Sequence, residues 1–363
     1  MTNLDSKQHS SSLQTLGNVP VSHGLTPART LARPALESDI EPATDTLAAL
    51  YKACGDALRI EILRVLQNDS FGVLELCTLF DVKQSGMSHH LKVLSNAGLV
   101  EAQREGNSLF YRRPVFRSDQ DNSMAIQSIF DAIDKIAASA GLTARIQEIR
   151  SARASLSQAF FARNADRFSE QQELIASYEQ YAEPARDLLF AEEFGPDATV
   201  MEIGPGEGLF LKDLAPAFKT VYALDNAEGM LNKAQELVKK HRLKNVRCIL
   251  GDSATALASN IKVDAIVMNM VLHHIARPLD IFADAAKLLK TNGILVISDL
   301  SHHDQSWVRD NCGDIWLGFE SQELSRWAMQ YGLQELDSLY IGLRNGFQIQ
   351  VRKFINAGKP NKL

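Results

Sequence analysis

The sequence predicts a multi-domain α/β chain of two unequal modules. A small helical module closed by a β-hairpin comes first, then a doubly wound parallel sheet, with a helical connector between them. Three observations carry this. Apolar residues recur at helical spacing between Thr44 and Ala97. Residues 99–113 then alternate around Glu105-Gly106-Asn107, a hairpin signal. From Thr199 onward, short apolar runs alternate with amphipathic stretches, the mark of a parallel sheet with crossover helices.

In the first module, Leu47, Leu50 and Tyr51 and then Leu58, Ile62, Leu63 and Leu66 lie at helical spacing, and Asn68-Asp69-Ser70 ends the run. Val73–Phe80 is a short amphipathic helix, and Asp81-Val82-Lys83 is a tight link to a helix over Ser85–Ala97. Gly98 stands where a left-handed helix cap is expected. The order of helix, helix, turn, helix, hairpin is that of a winged helix-turn-helix. From 124 to 190 nearly everything is helical in pattern, and Ile126, Ile129, Phe130 and Ile133 form a stripe that suits either a core or an interface. This connector is expected to be the only path between the modules.

In the second module the strands are expected at Val200–Ile203, Thr220–Leu224, Val246–Leu250, Ala265–Asn269 and Ile294–Asp299. Two more, Ser338–Leu343 and Phe347–Phe354, flank Asn345-Gly346, which adds an antiparallel edge. The expected boundaries are 1–42 for a disordered tail, 43–117 for the winged helix, 118–190 for the connector, 191–357 for the sheet domain and 358–363 for a tail.

Composition excludes several classes. The chain is 45% hydrophobic and 23% charged, with a formal net charge of −6, so no polybasic tail is present. Residues 45–117 carry nine Lys/Arg against eight Asp/Glu, a balance that permits a DNA-reading face. Cys54, Cys77, Cys248 and Cys312 form no regular spacing, which fits a reducing cytoplasm and not a disulfide framework. The N-terminus lacks a basic and apolar leader pattern, and no apolar run is long enough to span a bilayer.

The ligand chemistry gathers at strand ends. Glu202-Ile203-Gly204-Pro205-Gly206-Glu207-Gly208 leaves the first strand of the sheet, where missing side chains let backbone approach a ligand. Leu209 takes the place of the third glycine of a dinucleotide turn, and Glu202 suits a cationic ligand. Asp225, with Asn226, ends the second strand, where a carboxylate can accept from ribose hydroxyls. Asp252 and Ser253 follow the third strand, and Asn269 ends the fourth.

Residues 199–354 resemble class I methyltransferases through EIGPGEG, the acidic end of VYALD, the GD after the third strand and VLHHI after the fourth. The resemblance implies a Rossmann-like seven-stranded fold and S-adenosylmethionine as cofactor, or S-adenosylhomocysteine as effector. It implies that Gly204, Gly206 and Gly208 line the cofactor, Asp225 holds its ribose and Asp252 sits by its adenine. NMVLHH replaces the DPPY or NPPY turn of amino-methylating DNA enzymes, and no Pro-Cys nucleophile is present, so a DNA base is not the expected acceptor. A small-molecule acceptor is expected. His273, His274 and His303 are the candidate acid–base groups, against a structural or cofactor-covering role. Asp299 to Asp304 has ligand-type residues but no zinc spacing, so no metal is expected.

Residues 44–115 resemble ArsR/SmtB regulators through GDALRIEILRVL, MSHHLKVLSNAGLV and a wing ending in LFYRR. The resemblance implies a homodimer on a palindromic duplex operator. On the recognition helix, Gln84, Ser85, Ser88, His89 and Lys92 can reach bases or phosphates, and Arg104, Asn107 and Arg112 on the wing suit phosphates or the minor groove. At most one of His89 and His90 faces DNA. Leu79 stands where metal-sensing members have a second cysteine after Cys77, so metal sensing is not expected.

Overall fold

The computed structural model describes residues 41–105, 108–114 and 122–358. The expected terminal tails therefore lie almost wholly outside the described residues.

The first module has helices Glu41–Cys54, Ala57–Val65, Val73–Phe80 and Gln84–Asn96. Strands β1 (Phe71–Gly72), β2 (Glu101–Glu105) and β3 (Ser108–Arg112) form an antiparallel sheet in the order β1-β3-β2. Local chemistry sets its corners. The Asp56 carboxylate accepts from the Arg59 amide and starts the second helix. Gly98, at φ 69°, lets the chain turn out of the fourth. Leu50, Ile62, Leu63, Leu76, Met87, Leu91 and Leu94 fill the interior.

The stripe of the first connector helix, Ser123–Ile133, joins that same interior: Ile126, Phe130 and Ile133 are buried in it and Ile129 packs against it. Of the two uses the sequence left open, core is the one this chain makes of it. Arg113 pins the helix there. Its guanidinium donates to Asp134 at 2.7 and 3.1 Å and to the Leu63 carbonyl at 2.8 Å, and it lies over the Phe130 ring.

The second module is a seven-stranded sheet: β4 (Thr199–Ile203), β5 (Thr220–Asp225), β6 (Val246–Leu250), β7 (Val263–Asn269), β8 (Leu289–Leu300), β9 (Leu333–Gly342) and β10 (Gln348–Asn356). The order is β6-β5-β4-β7-β8-β10-β9. The first five are parallel, and β10 and β9 close the edge antiparallel. Alternate residues feed two cores. Val200, Ala265, Val267 and Val296 face one layer of helices; Met201, Ile266, Met268 and Leu295 face the other. The strand order reverses between β4 and β7. A crevice opens at such a switch point beyond the carboxyl ends of the strands.

The connector is not the only path between the modules, contrary to expectation. Strand β3 lies directly on the sheet domain. Phe110 meets Trp316 edge to face at 5.5 Å, Arg112 pairs with Glu323 at 2.8 Å, and the Gln103 amide donates to His302 Nδ1 at 3.1 Å. Phe110 and Arg112 lie on β3, and Gln103, paired with Phe110 across the hairpin, lies on β2 next to the exposed Arg104.

An ionic clasp locks the arrangement. Asp69, its side chain 4% exposed, takes Arg150 at 3.0 Å, Arg153 at 3.7 Å and Arg277 at 3.9 Å. Burial pushes the Asp69 carboxyl up, and the three arginines pull against it. Arg153, in the long connector helix Ala140–Asn164, also donates to Glu75 at 2.8 and 2.5 Å and to the Ser70 carbonyl at 2.9 Å. Its guanidinium lies within 5.4 Å of the Phe71, Phe110 and Trp316 rings. Removing one partner of a buried ion pair leaves the other uncompensated. Arg153→Met is therefore expected to cost about 3–5 kcal/mol, read as a lowered urea midpoint. A loss under about 1 kcal/mol, the range of an exposed pair, would show the clasp to be marginal.

Candidate functional site

A cavity of about 540 Å³ occupies the switch-point crevice. Eight of the nine expected cofactor residues line it: Glu202, Gly204, Gly206, Asp225, Asn226, Asp252, Ser253 and Asn269. Gly208 does not. At φ 82° it lies against the helix Glu228–Lys240, and a Cβ there would come within 3.1 Å of Ala234 Cα. It packs the glycine turn onto that helix instead of lining the cavity. Gly204, at φ 69°, has Val271 where its Cβ would stand, only 2.3 Å from Cγ2, so the turn accepts only glycine there.

The polar groups divide into those already satisfied and those left open. Ser253 gives its hydroxyl to Asp284 at 2.7 Å. Asp252 caps the helix Ser253–Ala258 by accepting from the Thr255 amide, and stays exposed at the cavity mouth. Asp225 accepts from the Ala227 amide at 2.8 Å, and burial raises its carboxyl to about 6. Glu202 is fully buried beneath the turn and its Oε2 has no hydrogen-bond partner. Burial, then the Asp213 and Asp225 charges, push it to about 8. An orphaned buried carboxyl oxygen beside a second carboxylate, under a glycine turn with no room for a side chain, fits a cationic nucleoside ligand such as S-adenosylmethionine.

The candidate histidines separate. His274 lines the cavity, donates Nδ1–H to the Gly313 carbonyl at 3.2 Å, and meets the Phe161 ring at 4.8 Å. Burial and then the neighbouring His273 hold it well below the usual histidine value, so it stays neutral. His273 is fully buried behind it, with Nδ1 2.7 Å from Asp299. Burial opposes its charge, but Asp299 and Asp314 win and raise it to about 9. His303 packs against Phe347 at 4.7 Å, away from the cavity wall. Of the three candidate acid–base groups, only His274 can face a ligand.

Sequence reasoning missed the cavity's roof. Gln147, Arg150, Ser157 and Phe161 come down from the connector helix, Tyr178 and Tyr181 from the next wall, and Arg277 from the loop after β7. No local motif marks them. They are brought in by tertiary packing of a helix whose every side is polar in part.

The residues expected to read DNA fall into two sets. Gln84, Ser85, Ser88, His89 and Lys92 are all exposed on one face of the helix Gln84–Asn96, and Met87, Leu91 and Leu94 are buried on the other. His90 turns back to Asp56 at 3.7 Å, which leaves His89 as the outward one. Arg104 is exposed on β2, and Asn107 lies outside the described residues. Arg112 departs from expectation. Its ion pairs with Glu323 at 2.8 Å and Glu101 at 3.6 Å commit it to the domain interface and not to a phosphate.

Residues 56–102 match the family of bacterial regulatory proteins described as arsR, and residues 201–297 match the family described as a methyltransferase domain. A helix-turn-helix transcriptional regulator of Methanocaldococcus jannaschii is 40% identical over 65 residues, 18% of this chain and 73% of that protein. The chain belongs to the arsR family. In this arsR-family chain the methyltransferase domain implies use of S-adenosylmethionine. That domain is similar to a ubiquinone biosynthesis O-methyltransferase of Dinoroseobacter shibae, 28% identical over 170 residues, 43% of this chain and 67% of that one. A solved S-adenosylmethionine-dependent methyltransferase from Aquifex aeolicus aligns at 20% identity and TM-score 0.39, over 52% of this chain and 97% of that one. The chain spans 36–73% of the lengths of its curated relatives. No helix among the described residues is long and apolar enough to cross a membrane.

Two outcomes follow from the geometry. Glu202 protonates below about 8 and Asp225 below about 6. A cationic ligand prefers both ionised, so affinity for S-adenosylmethionine is expected to rise as pH increases from about 6 to about 8. By calorimetry Glu202→Gln should flatten the upper part of that rise. A slope unchanged in the variant would remove Glu202 from the site. On the DNA side, Arg104→Ala is expected to weaken binding across sequences and lower the salt slope by about one. Arg112→Ala should leave the slope unchanged.

Proposed function

We propose that this chain is a DNA-binding transcriptional regulator whose methyltransferase domain senses S-adenosylmethionine or S-adenosylhomocysteine. One observation carries the reading. Arg150 lines the cofactor cavity and, 3.0 Å away, holds Asp69 of the winged helix. Arg277 does the same from the other wall, and pairs with Asp280 at 2.6 Å. A ligand shifts an equilibrium only through contacts that differ between the two states. A ligand reaching these arginines competes with Asp69 for them, and Asp69 opens the strand that anchors the wing. The exposed face of Gln84, Ser85, Ser88, His89 and Lys92 is the surface proposed for the operator duplex, read by a homodimer.

A second reading has its own support: the domain also transfers methyl groups to a small molecule. Bound S-adenosylmethionine supplies an electrophilic methyl group on a sulfonium. The neutral His274 ring, inside a cavity with room beyond the glycine turn, can take a proton from an acceptor hydroxyl, thiol or amine.

Fluorescence anisotropy on a fragment of the gene's own upstream DNA tests the regulator. S-adenosylhomocysteine is expected to change the affinity at least about fivefold, the lower range of allosteric coupling. Asp225→Ala should abolish the response by losing the ligand. Arg150→Gln should weaken ligand binding and, even at saturating ligand, lose the response. Failure to bind any such fragment at any salt sinks the regulator. Transfer of labelled methyl groups into a small-molecule extract would establish turnover.

A further inference from the structure

We propose that His273, His274 and Asp314 form a binding site for one divalent transition-metal ion at the inner wall of the cofactor cavity. The three side chains are buried, and one donor atom from each lies within 4.8 Å of the others. The Asp314 carboxylate stands 4.0 Å from His273 Nε2 and 3.9 Å from His274 Nδ1. Those separations are too long for hydrogen bonds. They are close to the spacing of atoms that share one ion at bonds of about 2.0–2.2 Å, after a small contraction.

The surroundings are those of a ligand set. Asp299 is buried on β8 and fixed by the Leu272 and Leu300 amides, each at 2.8 Å. It takes His273 Nδ1–H, so Nε2, on the side of Asp314, is the nitrogen that becomes a ligand once its own proton leaves. Nε2 is buried and has no hydrogen-bond partner. A carboxylate that orients a ligating imidazole through its other nitrogen is the usual outer shell of such sites. Asp314 is held in place too, because the amides of Ile315 and Trp316 both donate to the His273 carbonyl, at 3.0 and 3.1 Å.

Gly313, at φ 78° with the Phe160 ring 2.4 Å from where a Cβ would be, brings its carbonyl to 3.2 Å from His274 Nδ1. For an ion to bind at Nδ1 the His274 proton shifts to Nε2, and the proton released to solvent is the one His273 gives up from its own Nε2. Two imidazoles and a carboxylate suit zinc, cobalt or nickel better than magnesium or calcium. Of the three, His274 lines the cavity, so an ion would enter from that side. No contiguous spacing reveals the site, since its donors come from two segments forty residues apart in the chain.

The site does not depend on the regulatory reading, and its test needs neither DNA nor turnover. The full chain, stripped with a chelator, is titrated with Co²⁺. The expected result is visible d–d absorption saturating at one ion per chain, erased by Zn²⁺, with proton release on binding. Asp314→Asn and His274→Asn should each weaken binding at least about tenfold, with His303→Gln unchanged. Circular dichroism checks folding, and Asp314→Asn, nearly equal in volume, guards against a collapsed His274 variant. Absence of saturable binding, or binding that survives both variants, overturns the proposal and leaves a histidine held between two carboxylates.

Discussion

The structure depends on a single buried carboxylate. Asp69 sits in the turn before β1, and three guanidiniums from two separate segments converge on it. A buried charge is tolerable only when it is paired, so the turn, the long connector helix and the loop after β7 must come together at once. This constraint sets the place of the wing on the sheet domain. It also explains why polar residues lie at the centre of an interface that apolar packing alone would have left free to slide. Phe110 and Trp316 supply area, and the clasp supplies register.

The same arginines face two ways. Arg150 and Arg277 belong both to the Asp69 clasp and to the cavity wall. The connector helix is thus a shared wall and not a tether. Its buried Arg153 reaches Glu75 of the winged helix, while Gln147, Ser157 and Phe161 close over the crevice. A helix with such a double task has no single apolar stripe, which is why its pattern announces neither.

The legible parts were those in which function is written over consecutive residues. Strand alternation and turn chemistry mark all seven strands of the sheet, most within a few residues, because glycines such as Gly204, Gly251 and Gly346 and the Asp252 cap act locally at several strand ends. EIGPGEG and the acidic strand end VYALD put Glu202, Gly204 and Asp225 at one crevice for the same reason. Two-residue β1 carries too little pattern to see. The roles of Gly208, Arg112 and His273 could not be read locally either. Gly208 answers to Ala234, Arg112 to Glu323 and His273 to Asp299, partners from 26 to more than 200 positions away. In each case the residue type suited two environments, and only the packing chose between them.

The cavity's polarity is divided by origin. Its acidic floor, Glu202 and Asp225, belongs to the strands, which are fixed by two cores and cannot yield. Its basic roof, Arg150 and Arg277, belongs to the interface between modules. S-adenosylmethionine and its demethylated product differ by one methyl group and the positive charge on sulfur. The floor is where a difference in charge can be felt, because at low dielectric a unit charge a few ångströms from a carboxylate is worth several-fold more than in water. The roof is where a difference in position can be passed on, because Asp69 competes there for the same guanidiniums. On the proposed sensing reading, recognition falls to the strand-borne floor and response to the interface-borne roof, and a ligand that reached Arg150 or Arg277 would touch both.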